Sequence, residues 1–388
     1  MMSLTAGQIR IDLSHRSGHV RDVRISSTRS QAATQVLIGK SPEQLLSSVP
    51  LLFSLCGNAQ AYAALLACRS ALGLIDEPDL DAARETLVKL ETVREHAWRI
   101  LLDWPILIGN TPDKAPLAAL LKFEAQFKQR LFRNGEAFKL DRRLNADISE
   151  LHPLITELTA LLDSAMFAGR FGEFQSLSDE KQLRAWLSRS AGPAAGLLNE
   201  LYRRDWLSLG RCNTLPLPIF DLSDLHQTLL QQDLTEFSRV PVWRGQSRDT
   251  TPFSRHTAHP LLSDIVSRYG NGLMARFLAM LLEVAKLLGS LASPSAYLAD
   301  NASFDGVGLA TVQAARGLLI HRLVLRQGRV YDYRIVAPTE WNFHPEGVVA
   351  SSLLALRAGN GECLRKQANW LIQAVDPCVQ YELMLTEV

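Results

Sequence analysis

Apolar and polar positions alternate with period two over only two parts of the chain. Elsewhere apolar residues recur at three and four, which predicts a mainly helical protein with two small β-hairpins. Residues 9–13 and 20–26 alternate on either side of the turn-like Ser14-His15-Arg16-Ser17-Gly18, the first hairpin. His15 and His19 flank that turn and are expected to be solvated. Leu318 to Val336 alternates on both sides of Gln327-Gly328, the second hairpin. Helix starts are signalled at Ser41-Pro42, with serine as cap and proline in the first turn. A small-residue helix then runs from near Asn58 to Cys68, with Cys68 read as core. From Asp79 to Asp103, Leu80, Ala83, Leu87, Leu90, Val93, Ala97 and Ile100 mark a long amphipathic helix, which Trp104-Pro105 is expected to stop. More helices follow over 115–207, then an irregular stretch over 240–262. A strongly apolar helix covers 273–288, and a last helix, from about Cys363 to Val375, stops at Asp376-Pro377.

Composition narrows the class without deciding it. The 388 residues are 47% hydrophobic and 21% charged, ordinary values for a globular chain, and the net charge of +1 gives no field that would favour nucleic acid or an anionic membrane. Five cysteines, at 56, 68, 212, 363 and 378, form no C-x-x-C pair, so neither a disulfide framework nor a zinc finger is indicated. No signal peptide and no apolar run of membrane-spanning length is present, which predicts a soluble, cytoplasmic protein. There is no phosphate-binding glycine loop, no G-x-S-x-G elbow and no H-E-x-x-H helix, so hydrolase, kinase and nucleotide-binding readings have no motif behind them. Neither repeats nor a linker divide the chain, and 1–388 reads as one domain.

Three places hold candidate chemistry. Cys56 precedes Gly57 at a helix start, where the helix N-terminus would favour a thiolate. Cys378 lies near the other end, and metal centres are often assembled from distant thiolates, although spacing alone reads both as small core residues. Glu95-His96 is either a proton relay or, the preferred reading, a pair in which His96 is a hydrogen-bonded core histidine. Arg255, His256 and His259 form a basic or metal cluster or, the preferred reading, a surface loop.

Six segments, in order along essentially the whole chain, resemble the large subunit of nickel–iron hydrogenases. Gly7-Gln8-Ile9-Arg10-Ile11 is similar to its E-G-H-x-R-I start, and Ser54 to Ala63 to its R-x-C-G-x-C-x-x-x-H motif. Glu95-His96 to Asp103 resembles D-H-x-x-H-F, Ala315-Arg316-Gly317 resembles A-P-R-G, and Pro338-Thr339-Glu340-Trp341-Asn342 resembles P-T-T-W-N. Asp376-Pro377-Cys378 resembles the terminal D-P-C-x-x-C-x-x-H. The resemblance implies a large-subunit-like helical bundle, mainly α with small hairpins (α+β).

The departures redirect the expected function. In the catalytic family four thiolates, one C-x-x-C pair at each end, hold nickel and iron. Here Ala59 and Tyr381 stand at the second positions, Ala6 replaces the N-terminal glutamate, Met384 replaces the closing histidine, and the sequence stops at Val388. A nickel–iron site is therefore not expected, and neither is catalysis. What the resemblance leaves is a single-metal pocket: Cys56 and Cys378 as ligands to a transient Fe(CN)2(CO) fragment, without nickel. Arg316, Thr339, Pro338 and Asp376 would surround it, Arg316 and Thr339 donating to the cyanides and Asp376 orienting Arg316. Together with Glu91 to Pro105, the pattern is similar to the HupK/HoxV-type hydrogenase accessory proteins. It implies a maturation scaffold whose partners are maturation chaperones and the apo large subunit, with no nucleic acid and no membrane. Two alternatives stay open: a docking protein without a metal, and a quinone-pocket-like subunit of a respiratory complex.

Overall fold

Each period-two stretch forms strands, but both sheets are larger than hairpins. The structure, a computed structural model, describes residues 7–28, 32–132, 134, 136–145, 148–293 and 298–388, so Ala6 lies outside the described residues. Strands β1 (Gln8–Arg16) and β2 (His19–Ser27) pair antiparallel across Ser17-Gly18. Both turn residues have positive φ, +47° and +73°, as a two-residue turn matched to strand twist requires. Ile9, Ile11 and Leu13 project into the core. His15 is buried, not solvated, because the turn folds against the Ala358–Gly361 segment.

Strands β3 (Ala299–Phe304), β4 (Val307–Ala314), β5 (Gly317–Arg326) and β6 (Arg329–Val336) make an antiparallel four-stranded sheet in that order. The β5–β6 pair is the hairpin expected around Gln327-Gly328. The pattern did not announce β4 because that strand is buried on both faces, so Val307 to Ala314 shows no alternation. The largest addition is β7 (Gln380–Glu387), which lies parallel to β1, Gln8 opposite Gln380 and His15 opposite Glu387. The chain thus returns at its end to the strand with which its described part begins.

The Gly57–Leu72 helix runs across the four-stranded sheet, and every residue from Asn58 to Ser70 is buried. A helix covered on all sides needs small residues, and Ala59, Ala61, Ala63, Ala64 and Ala67 supply them. The next long helix, Pro78–Trp98, does not stop at Pro105. A π-turn over Arg99–Asp103 carries it into a further helical turn, Trp104–Leu107. Widening the ladder by one residue accommodates the proline, which lacks an N–H to donate. Arg255 and His256 pack inward, His256 buried and Arg255 largely covered, which corrects the expectation of a surface loop for them, while His259 is half-buried at the start of the next helix. No helix among the described residues is long and apolar enough to cross a membrane.

Helix and sheet meet most closely at Gly308, where an added Cβ would lie 1.9 Å from the Ala67 carbonyl oxygen. Gly308→Ala should therefore cost about 3 kcal/mol or more, in the upper range for overpacking. Gly328→Asn, in an open turn at φ +71°, should leave the denaturation midpoint nearly unchanged. Equal midpoints for the two variants would contradict this packing.

Candidate functional site

Arg316 is presented by the tight turn between β4 and β5, in which Ala314 faces Gly317 across the ladder. That turn is braced from behind. Asn342 Nδ2 donates to the Arg316 carbonyl at 2.9 Å, Arg255 Nη2 to the Ala315 carbonyl at 3.3 Å, and the Leu318 N–H to Thr250 Oγ1 at 2.8 Å. Arg255 is itself held by Glu283, whose other oxygen meets His256 Nε2. Arg255 and His256 thus belong to a buried ion-paired brace. The carboxyl of Glu283 is held well below its usual range, because Arg255 and His256 outweigh the burial that opposes its charge.

The buried side chain of Arg316 faces two carboxylates. Nη2 donates to Glu95 Oε2 at 3.0 Å and to Asp376 Oδ1 at 3.4 Å, and Nε lies 3.2 Å from Asp376 Oδ2. Burial disfavours the guanidinium charge, but Asp376, Glu95 and the two cysteines more than compensate, so Arg316 stays charged. Its Nη1 is buried and has no hydrogen-bond acceptor. Asp376 caps the Gly361–Val375 helix at φ +61° and accepts a second guanidinium, Arg99 Nε, at 2.7 Å. His96 is completely buried, neither ring nitrogen has a partner, and burial lowers its pKa to about 4. Of the two readings of the Glu95-His96 pair, the core histidine fits, but without the hydrogen bond expected of it; Glu95 itself faces Arg316.

Cys378 lies between that helix end and β7, its sulfur 2.9 Å from Thr339 Oγ1, in the first turn of the Pro338–Asn342 helix. It forms part of the wall of an open groove of about 860 Å³, with Gln8, Leu55, Arg99 and Tyr381. Cys56 sits at the cap position of the Gly57–Leu72 helix and is close enough to Cys378 and Arg316 for each to act on it electrostatically. The helix N-terminus does not make it a thiolate. Glu91 takes two of the free first-turn N–H groups, those of Asn58 at 2.7 Å and Ala59 at 3.1 Å. Burial, Glu91 and Cys378 push the Cys56 thiol up to about 12, so a metal must displace its proton to bind.

A buried chain of hydrogen bonds ends on the Cys56 sulfur. Tyr333 Oη lies 2.6 Å from His321 Nδ1, His321 Nε2 lies 3.0 Å from Gln60 Oε1, and Gln60 Nε2 lies 3.8 Å from Cys56 Sγ. With Tyr333 donating, the imidazole must donate from Nε2, and Gln60 is turned so that its N–H points at sulfur. Among the described residues no group of three or more His, Cys, Asp or Glu side chains is arranged to hold a metal ion. The structure therefore gathers Cys56, Cys378, Arg316, Thr339, Asp376 and the buried Pro338 in one place, with two sulfurs as its soft donors.

No family model matches the sequence. Full-length relatives do. The hydrogenase expression/formation protein HupV of Azotobacter chroococcum is 28% identical over 385 residues, covering 98% of this chain and 99% of its own. The hydrogenase expression/formation protein HoxV of Cupriavidus necator is 29% identical over 401 residues, covering 97% and 95%. This chain is a relative of the hydrogenase expression/formation proteins. Its fold is that of the nickel–iron hydrogenase large subunit: the Ni-Fe-Se hydrogenase of Desulfovibrio vulgaris Hildenborough superposes with TM-score 0.63 at 15% identity, over 94% of each chain.

For a relative of those proteins, the sequence patterns missed much of what surrounds the sulfurs. His321 and Tyr333 stood in no recognised motif, and Gln60, Glu91 and Arg99 lay inside matched segments without a role of their own. Only the i, i+4 spacing of Cys56 and Gln60, and of Glu91 and Glu95, hinted that they share a face. Tyr381, at a lost cysteine position, is on β7 with its hydroxyl near Asn369 and Gln373.

Two outcomes follow from these buried charges. Asp376→Asn removes the carboxylate that Arg316 and Arg99 share, leaving Glu95 to one and Asp103 to the other, and should destabilise by roughly 1–3 kcal/mol in denaturant titration, the cost of leaving buried donors unsatisfied. His321 is fully buried with its pKa lowered to about 3, against an ordinary value near 6.5. The unfolded chain therefore binds a proton that the native state refuses, and stability falls as pH drops through the window from 6.5 to 3. Glu91, raised to about 7 by burial, acts in the opposite sense, so the effect is read as a difference. Between pH 6 and 4.5, His321→Gln should lose stability less steeply than the parent, by about 1.4 kcal/mol per pH unit. Parallel pH curves would show that the imidazole is protonated in the native state.

Proposed function

We propose that the chain is a non-catalytic scaffold in nickel–iron hydrogenase maturation. It holds the Fe(CN)2(CO) fragment as cargo between Cys56 and Cys378 and helps deliver it to the apo large subunit. The observation that carries this reading is the orphaned Nη1 of Arg316, a buried N–H without an acceptor beside two thiols. A charged donor in that position suits a cyanide nitrogen, and the Thr339 hydroxyl beside Cys378 offers a second donor. Two soft sulfurs suit low-spin iron. Ala59 and Tyr381 supply no bridging thiolate for nickel. Ligation by two sulfurs, one of them in the wall of an open groove, favours release to an acceptor. The names of the relatives, hydrogenase expression/formation proteins, agree with a place in this process. Its partners would be the chaperones that bring the iron fragment and the apo large subunit that receives it.

The test is infrared spectroscopy on protein purified anaerobically from a host with the full maturation set, with iron and nickel counted on the same sample. Carbonyl and cyanide stretches with iron and without nickel are expected, and both should vanish in Cys56→Ala and Cys378→Ala. A sample lacking iron and those bands, with hydrogenase maturation unaffected by the double replacement, would overturn the reading and leave a docking protein.

A further inference from the structure

Behind the Arg316 turn lies a second cavity, of about 370 Å³, away from both sulfurs. Leu217, Phe220, Leu287, Leu298 and Leu318 give it apolar walls, and Arg255 and Glu283 form part of its polar floor. Apolar walls beside a polar and charged floor and rim are the combination that an amphipathic small molecule needs. The floor is electrically satisfied, since Arg255 and His256 share Glu283. Two lysines are not. Lys89 is 1% exposed, and its ammonium donates only to carbonyls, those of Ser290 and Ser293. Among the described residues no carboxylate lies within ion-pair distance of it; Glu85, one turn back on the same helix, acts on it only electrostatically. Lys286 stands exposed among the lining residues, as does Asp300, the acid that lines the cavity besides Glu283. A buried ammonium with no carboxylate at ion-pair distance is costly, and a bound anion would offset that cost.

We propose that this cavity binds a small amphipathic carboxylate, its hydrocarbon part against the leucines and Phe220 and its head group toward Lys89 and Lys286. The site goes beyond the iron reading and does not depend on it. Its occupant would nevertheless rest on Arg255, which donates to the Ala315 carbonyl and so braces the turn that carries Arg316.

The experiment is calorimetric titration of the full chain with octanoate and, as the uncharged analogue, 1-octanol. Octanoate should bind about tenfold more tightly than octanol. Lys286→Glu and Ile219→Asp alter exposed lining residues, Ile219 being 79% exposed, so the fold should tolerate both. Each should weaken octanoate about fivefold or more, by placing a carboxylate near the head group or the chain. Cys56→Ser should leave octanoate binding unchanged, which separates this site from the sulfur pair. Equal affinity for octanoate and octanol, unchanged octanoate affinity in both exposed variants, or loss of binding in Cys56→Ser would each overturn the proposal.

Discussion

The carboxylate of Asp376 is the constraint on which the site depends. It sits at a left-handed helix cap and meets two guanidiniums, Arg316 from the β4–β5 turn and Arg99 from the π-turn. Three elements far apart in sequence are thereby fixed to one point. Because the cluster is largely buried, desolvation favours keeping it together, and Glu95 and Asp103 complete the pairing of the two guanidiniums. Cys378, two residues on, inherits its position from that anchor, and β7 then locks the chain to β1.

The two sulfurs live in different surroundings. Cys56 belongs to a helix start where Glu91 occupies two of the free N–H groups, and its sulfur faces an amide oriented by His321 and Tyr333. Cys378 faces a hydroxyl and an open groove. One side of the site is fixed by a buried relay and the other borders an open groove. The Arg316 turn between them is held by the Thr250–Arg255 segment, so the guanidinium is preorganised before anything binds.

Much of the architecture was legible in the sequence because it rests on local periodicity. The long helices, both hairpins, and the six motifs carrying Cys56, Glu95, Arg316, Thr339 and Asp376 could all be read in order from the residues. Local pattern also misleads: Pro105 reads as a stop, and Arg255 and His256 as part of a surface loop. In both cases packing overrode the local signal, through a widened helical turn in one and a buried ion-pair brace in the other.

What the sequence determined by itself is which residue types stand in which order: one cysteine in each motif, a helix-rich body, and no second thiolate at positions 59 and 381. The tertiary structure alone decided that Glu91 caps the helix beside Cys56, that His321 and Tyr333 orient Gln60, that Arg99 shares Asp376, and that β7 joins β1. The reason is physical. Periodicity reports which face of an element is buried, whereas hydrogen bonds and ion pairs between elements depend on which buried faces meet, and that is fixed only when the whole chain packs.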